Sequence, residues 1–122
     1  EANAERRRRA EALAARVREE TAFRPLVAPP GQGLYPRLAL RAPSAAARES
    51  ALRRLDSLGA GASGLYPSSL DAIAALRPHR ADPGLAFPGA RDLAARLLTL
   101  PPEIGASGPR AERILEVLAS AR

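Results

Sequence analysis

Ala10, Leu13, Ala14 and Val17 recur at the i, i+3, i+4, i+7 spacing of one helix face, so residues 3 to about 20 are predicted to form a helix with a narrow apolar stripe. A stripe so narrow implies that the helix leans on something. The period then changes. In LYPRLALR, Leu34, Pro36, Leu38 and Leu40 alternate with Tyr35, Arg37, Ala39 and Arg41, the signature of a strand with one buried face. Pro36 has no N–H for a ladder, which implies an edge or a bulge there. The intervening FRPLVAPPGQG holds Pro25, Pro29, Pro30, Gly31 and Gly33 and reads as a connecting loop.

Helical spacing returns after Ser44, a candidate N-cap, with Ala51, Leu52, Leu55 and Leu58 as the stripe and Gly59 as a left-handed terminator. AGASGLY follows as a short strand candidate whose glycines permit close approach of another backbone. Beyond Pro67, either Ser68 or Ser69 can cap a short helix carrying Leu70, Ile73 and Leu76, with Asp71 in its first turn where the helix dipole favours an acid. RPHRADPGLAFPG is a second proline-rich loop. Pro88 then opens a helix to about Arg96 with Leu93, Ala94 and Leu97 facing inward. LLTLPP reads as a strand or an extended exit stopped by Pro101 and Pro102. Ser107 as cap and Pro109 as first residue introduce a last helix with Ala111, Ile114, Leu115 and Leu118 on its inner face.

This order predicts an α+β fold: a small sheet of two to three strands, covered by helices mainly on one side, with a long N-terminal helix. A helix joining two strands favours a parallel crossover by default, but the pairing stays open. At 122 residues the chain has the length of one domain. Its hydrophobic fraction of 46% leans on alanine, which predicts a thin, leucine-rich core.

Composition narrows the chemistry. There is no cysteine and a single histidine, so neither a disulfide framework nor a zinc site can be built, and His79 in its loop reads as solvated. The formal charge of +6 comes from nineteen arginines with no lysine. With aromatics at 3%, the interleaved stacking residues of a nucleic-acid binder are missing, and the run Arg6 to Arg9 alternates with Glu5 and Glu11 as a solvated helix surface does. A chain without lysine forms no side-chain Schiff base. No apolar run reaches membrane-spanning length, so a cytoplasmic, membrane-free protein is expected, and the absence of methionine suggests a fragment. No nucleophile–base pair, carboxylate pair or phosphate-binding glycine loop stands out, so no catalytic residue and no metal ligand is assigned.

Three passages in order carry a resemblance: NAERRRRAEALAARV, then RESALRRLDSLGAGASGLYPSSL, then FPGARDLAARLLTLPP before the last helix. Together with YPRLAL they resemble the C-terminal part of DegT/StrS-type aminotransferases, pyridoxal-phosphate enzymes that aminate nucleotide-linked sugars. The resemblance implies that residues 1–22 are a linking helix and 23–122 the small α+β domain of a fold type I aminotransferase. It implies pyridoxal phosphate as cofactor of the complete enzyme and none in this chain, whose missing N-terminal domain would supply the aldimine lysine. It also implies a homodimer. Tyr66 and Pro67 match the family's tyrosine–proline corner beside the active-site cleft, and Ser63 lies in the same passage. Thr99, Leu100 and Pro101 match that family's LSLP-like passage. Two places depart from the pattern: Glu103 and Ile104 stand where a histidine–proline pair is usual, and Asp71 or Ala72 where a histidine is usual.

Two uses of Tyr66 and Pro67 follow: a hydroxyl presented to a substrate or partner domain, or a corner that ends a strand and packs on Leu70. A reading from another class is an arginine-rich interaction module whose first helix binds acidic partners or nucleic acid.

Overall fold

The computed structural model describes residues 1–122. Helix α1 (Ala2–Glu20) leads to strand β1 (Arg24–Pro25), strand β2 (Leu38–Arg41), helix α2 (Ala45–Ser57), two 3-10 turns (Leu70–Ala72 and Ala74–His79), helix α3 (Pro88–Arg96), strand β3 (Leu97–Leu100), a third 3-10 turn (Pro102–Ile104) and helix α4 (Pro109–Ser120). The three strands form one antiparallel sheet in the order β1-β2-β3. This is the α+β fold expected, with the long helix at its N-terminus.

The register explains the core. Leu38 faces Leu100 and Leu40 faces Leu98 across the β2–β3 pair, so four leucines project from one face. All four are fully buried, together with Leu13, Val17 and Phe23, Leu55 of α2, and Ile114 and Leu118 of α4. Each such side chain contributes about 1.5–3 kcal/mol relative to full exposure. The stripe of α1 is buried, and what the helix leans on is α4, β1 and the 3-10 turn after β3. Ser44 caps α2 by accepting the Ala47 N–H at 3.0 Å, and Gly59 follows that helix at φ +60°.

Five local expectations are corrected. The proline loop contains a strand: Arg24 and Pro25 pair with Arg41 and Leu40, a place at the sheet edge where a residue without an N–H is tolerated. The alternation in 34–41 holds only from Leu38 onward. Tyr35 takes φ +45° and is buried, which turns Leu34 out to 61% exposure and leaves Pro36 exposed as well. Leu93, expected to face inward, is 39% exposed. The helix expected after Ser69 is two 3-10 turns, and Leu70 stands 72% exposed. Helix α4 begins after Gly108 at φ +91° with no side-chain cap, so Ser107 does not serve.

The glycines of AGASGLY do bring backbones together. Ser63 forms an isolated antiparallel bridge with Thr99, donating at 3.0 Å and accepting at 2.7 Å, on the side of β3 away from β2. Arg37 sews this junction: Nε donates to Thr99 Oγ1 at 2.7 Å and a terminal nitrogen to Gly61 O at 2.5 Å. At Gly64 a Cβ would collide with the Arg48 guanidinium, which donates to Leu97 O at 2.9 Å.

Candidate functional site

Between the segment that follows Tyr66 and helix α3, residues of 66–97 line an open cleft of about 760 Å³. Ala90, Leu93 and Ala94 of α3 and Leu97 of β3 form one side. Tyr66, Leu70, Leu76 and Phe87 form the other, and the lining is predominantly apolar. A cleft of this size falls within the range of small-molecule sites, which runs from about 300 to 1,000 Å³.

What shapes the cleft is one carboxylate. The Asp71 side chain is only 3% exposed. Its Oδ1 accepts the Ser69 hydroxyl at 2.5 Å, while Oδ2 accepts the Phe87 N–H at 3.2 Å and Arg91 Nε at 2.7 Å. The Ser69 hydrogen bond above all, then the Phe87 N–H and Arg91, pull its pKa down from 3.8 to about 2 against the opposing effect of desolvation. Phe87 is the N-cap of α3 yet has no side-chain acceptor, and the first turn of that helix holds no acid. Asp71 therefore supplies from a distant segment the negative charge that a local cap would give.

Arg80 completes the arrangement. It donates to the backbone oxygens of Asp71 at 3.5 Å, of Pro83 at 3.3 Å and of Leu85, and its guanidinium lies over the Phe87 ring at 5.9 Å from the centroid. A stacked cation of this kind contributes about 0.5–1 kcal/mol at an exposed site.

The residues singled out in the sequence are dispersed. Tyr66 lines the cleft at 60% exposure and its hydroxyl has no partner within the chain. Pro67 is exposed beside it. Ser63 lies outside the cleft: its backbone joins β3 and its hydroxyl accepts the Leu65 N–H at 3.0 Å. Leu65 itself takes φ +59°, within a tight turn closed by the Tyr66 N–H on Gly64 O at 2.7 Å. That left-handed residue aims Tyr66 outward. Sequence reading assigned Asp71 only a helix-dipole role and missed Arg80, Phe87 and Arg91. The available signal was an acid in the segment ahead of an uncapped FPG helix start.

Serine, histidine and aspartate all line the cleft, yet they do not form an acyl-transfer constellation. The Ser69 hydroxyl is bonded directly to Asp71, and His79 bonds to neither. No three side chains of metal-binding type converge anywhere in the chain. Pyridoxal phosphate also finds no fit among these residues. There is no lysine for an aldimine, and the guanidiniums of Arg80 and Arg91 are engaged by the chain's own oxygens.

In the arginine run of α1, Arg6 donates to Leu34 O at 3.0 Å, Arg7 to Gly31 O, and Arg8 and Arg9 to Glu5. Each of the four thus has an acceptor within the chain. No helix is long and apolar enough to cross a membrane. Comparison with family models, with curated proteins and with solved structures finds no match to this chain.

Proposed function

We propose that this chain is the C-terminal small domain of a pyridoxal-phosphate-dependent sugar aminotransferase-like protein. It forms a wall of the active-site cleft and is not catalytic alone. The observation that carries this reading is where the uncovered apolar surface lies. Of the ten large hydrophobic residues left exposed, seven (Leu65, Tyr66, Leu70, Leu76, Leu85, Phe87 and Leu93) fall between residues 65 and 93. Contiguous uncovered apolar surface marks a contact face. Five of the seven, all but Leu76 and Leu85, fall within two of the three passages on which the resemblance rests. The aldimine lysine and the cofactor belong to a partner N-terminal domain, and the complete protein is a cytoplasmic homodimer.

Determining the coding sequence upstream of Glu1 tests this reading. The expected result is an in-frame large domain carrying a lysine at the end of a strand; an unrelated upstream domain would sink it. A second arm uses the chain itself. Incubation with pyridoxal phosphate and borohydride is expected to label no side chain, and a single labelled internal site would refute the statement that the chain is inactive alone.

A further inference from the structure

We propose that residues 68–87 form a strap over the apolar cleft and that Asp71 is its latch, so that releasing this one carboxylate frees the strap while the sheet and its helices stay folded. The latch is a property of this chain's own hydrogen bonds and does not depend on the aminotransferase reading.

The strap has little else to hold it. It contains no α-helix and no strand, only two 3-10 turns, which contribute few and poorly aligned backbone bonds. Its large side chains are not interior: Leu70 is 72% exposed, Leu85 50% and Phe87 47%. None of its residues belongs to the core cluster. Apolar burial, which fixes the rest of the chain, therefore fixes this segment weakly.

Polar tethers take over, and they converge. Asp71 binds the start of the strap through the Ser69 hydroxyl, its end through the Phe87 N–H, and the rigid α3 through Arg91. Arg80 fastens the middle of the strap to the Asp71 carbonyl and to Pro83 and Leu85. A loop closed through one buried acid is a two-state element. With the acid bound, Phe87 is held against the start of α3; with it released, the one backbone hydrogen bond left between Phe87 and that helix is the Arg91 N–H on the Phe87 carbonyl, at 3.1 Å. The cleft wall formed by Leu70, Leu76 and Phe87 moves with it.

The test is amide hydrogen exchange at neutral pH on the 122-residue chain, comparing it with Asp71→Asn and Asp71→Ala. The reporter is the Phe87 amide, which donates to Asp71. The references are the Leu26 and Thr99 amides, which donate to Ala39 O at 2.9 Å and to Ser63 O at 2.7 Å. Protection at Phe87 is expected to fall roughly tenfold in Asp71→Ala and less in Asp71→Asn, which keeps an acceptor oxygen; the references should change less than about twofold.

Cleavage by trypsin after Arg80 should accelerate in the same order. Unchanged protection at Phe87, or loss of protection at Leu26 and Thr99 equal to that at Phe87, would overturn the latch. In the second outcome Asp71 would hold the whole fold. If Asp71→Ala does not accumulate as folded protein, Ser69→Ala and Arg91→Ala carry the test, each removing one arm. Loosening at Phe87 alone supports the latch, and no loosening in either overturns it.

Discussion

The sheet with α1, α2 and α4 and the segment from Leu65 to Leu93 are built on different physical terms. In the first, four leucines of facing strand positions and the stripes of three helices meet in one buried cluster, and the hydrogen bonds are ladders and helix turns. In the second, leucines and a phenylalanine stay exposed, from 37% at Leu76 to 72% at Leu70, while a carboxylate and two guanidiniums hold the chain to itself. Burial is non-directional and spread over many residues, so it tolerates small losses. A hub of directional bonds concentrates its contribution in a few atoms and can be switched by one of them.

The sharpest way to break this contrast is to truncate the same residue type in both regions. Leu98→Ala, at a fully buried strand position, is expected to destabilise by about 2–5 kcal/mol in urea unfolding. Leu70→Ala, at 72% exposure, should stay within about 0.5 kcal/mol of the parent. Comparable losses at the two positions would mean that the strap shares the core after all.

A smaller effect is expected at the seam between the regions. Arg37 joins Thr99 and Gly61 through three hydrogen bonds, and Thr99 is itself 1% exposed. Arg37→Ala should cost about 1–3 kcal/mol, and the loss should appear first at the Ser63 amide by hydrogen exchange. Gly64→Ala probes the other side of the seam. The added methyl displaces the Arg48 guanidinium from Leu97 O, for roughly 1 kcal/mol, and the cost should shrink when Arg48→Ala is already present. Strict additivity of the pair would show that the two groups do not meet.

The two regions also differ in how far the sequence foretold them. Apolar periodicity marks α1, α4, Leu38 and Leu40, because there the residues that recur are the residues that are buried; in α2 and α3 it also picks out Leu58 and Leu93, which stand 41% and 39% exposed. The same rule placed Leu70 and Leu76 on a helix that does not form, since a period of apolar residues carries no information on whether a neighbour exists to cover them. It failed at Leu34 and Tyr35 for a local reason: one residue at positive φ inverts the alternation. The two-residue strand β1 was invisible because Pro25 is a breaker everywhere except at an edge, and edges are defined only by the fold. The Asp71 hub joins positions sixteen and twenty residues apart, and no local spacing announces it.

Acid should loosen the hub. The carboxylate is held at a pKa of about 2 against 3.8, so its folded-state advantage is fully present above about pH 4 and is lost as the pH falls through about 2. The groups facing it are the Ser69 hydroxyl, the Phe87 N–H and the Arg91 guanidinium, with Arg80 on its carbonyl and His79 in the same cleft. None of the cations loses its charge on acidification, so the change at Asp71 is the one that removes attraction here. Elsewhere Arg16 lowers the pKa of Glu112 and Arg41 that of Asp92, with the same sign. The Phe87 amide should therefore lose protection, relative to its intrinsic exchange rate, before the Leu26 amide does. Simultaneous loss would place the acid sensitivity in the whole fold.

The smallest expected effect separates the two uses of Tyr66. Were the ring a strand-ending wedge packed on Leu70, both would be covered, but they are 60% and 72% exposed, and the hydroxyl has no acceptor within the chain. Removing only that oxygen should leave stability within about 0.5 kcal/mol. Tyr66→Phe should thus unfold at the same urea concentration as the parent, whereas in the complete protein a hydroxyl presented to a substrate or a partner domain would reveal itself as weakened binding at unchanged stability. A measurable loss of stability in the isolated chain would instead give the oxygen an internal partner and return Tyr66 to the folding of this domain.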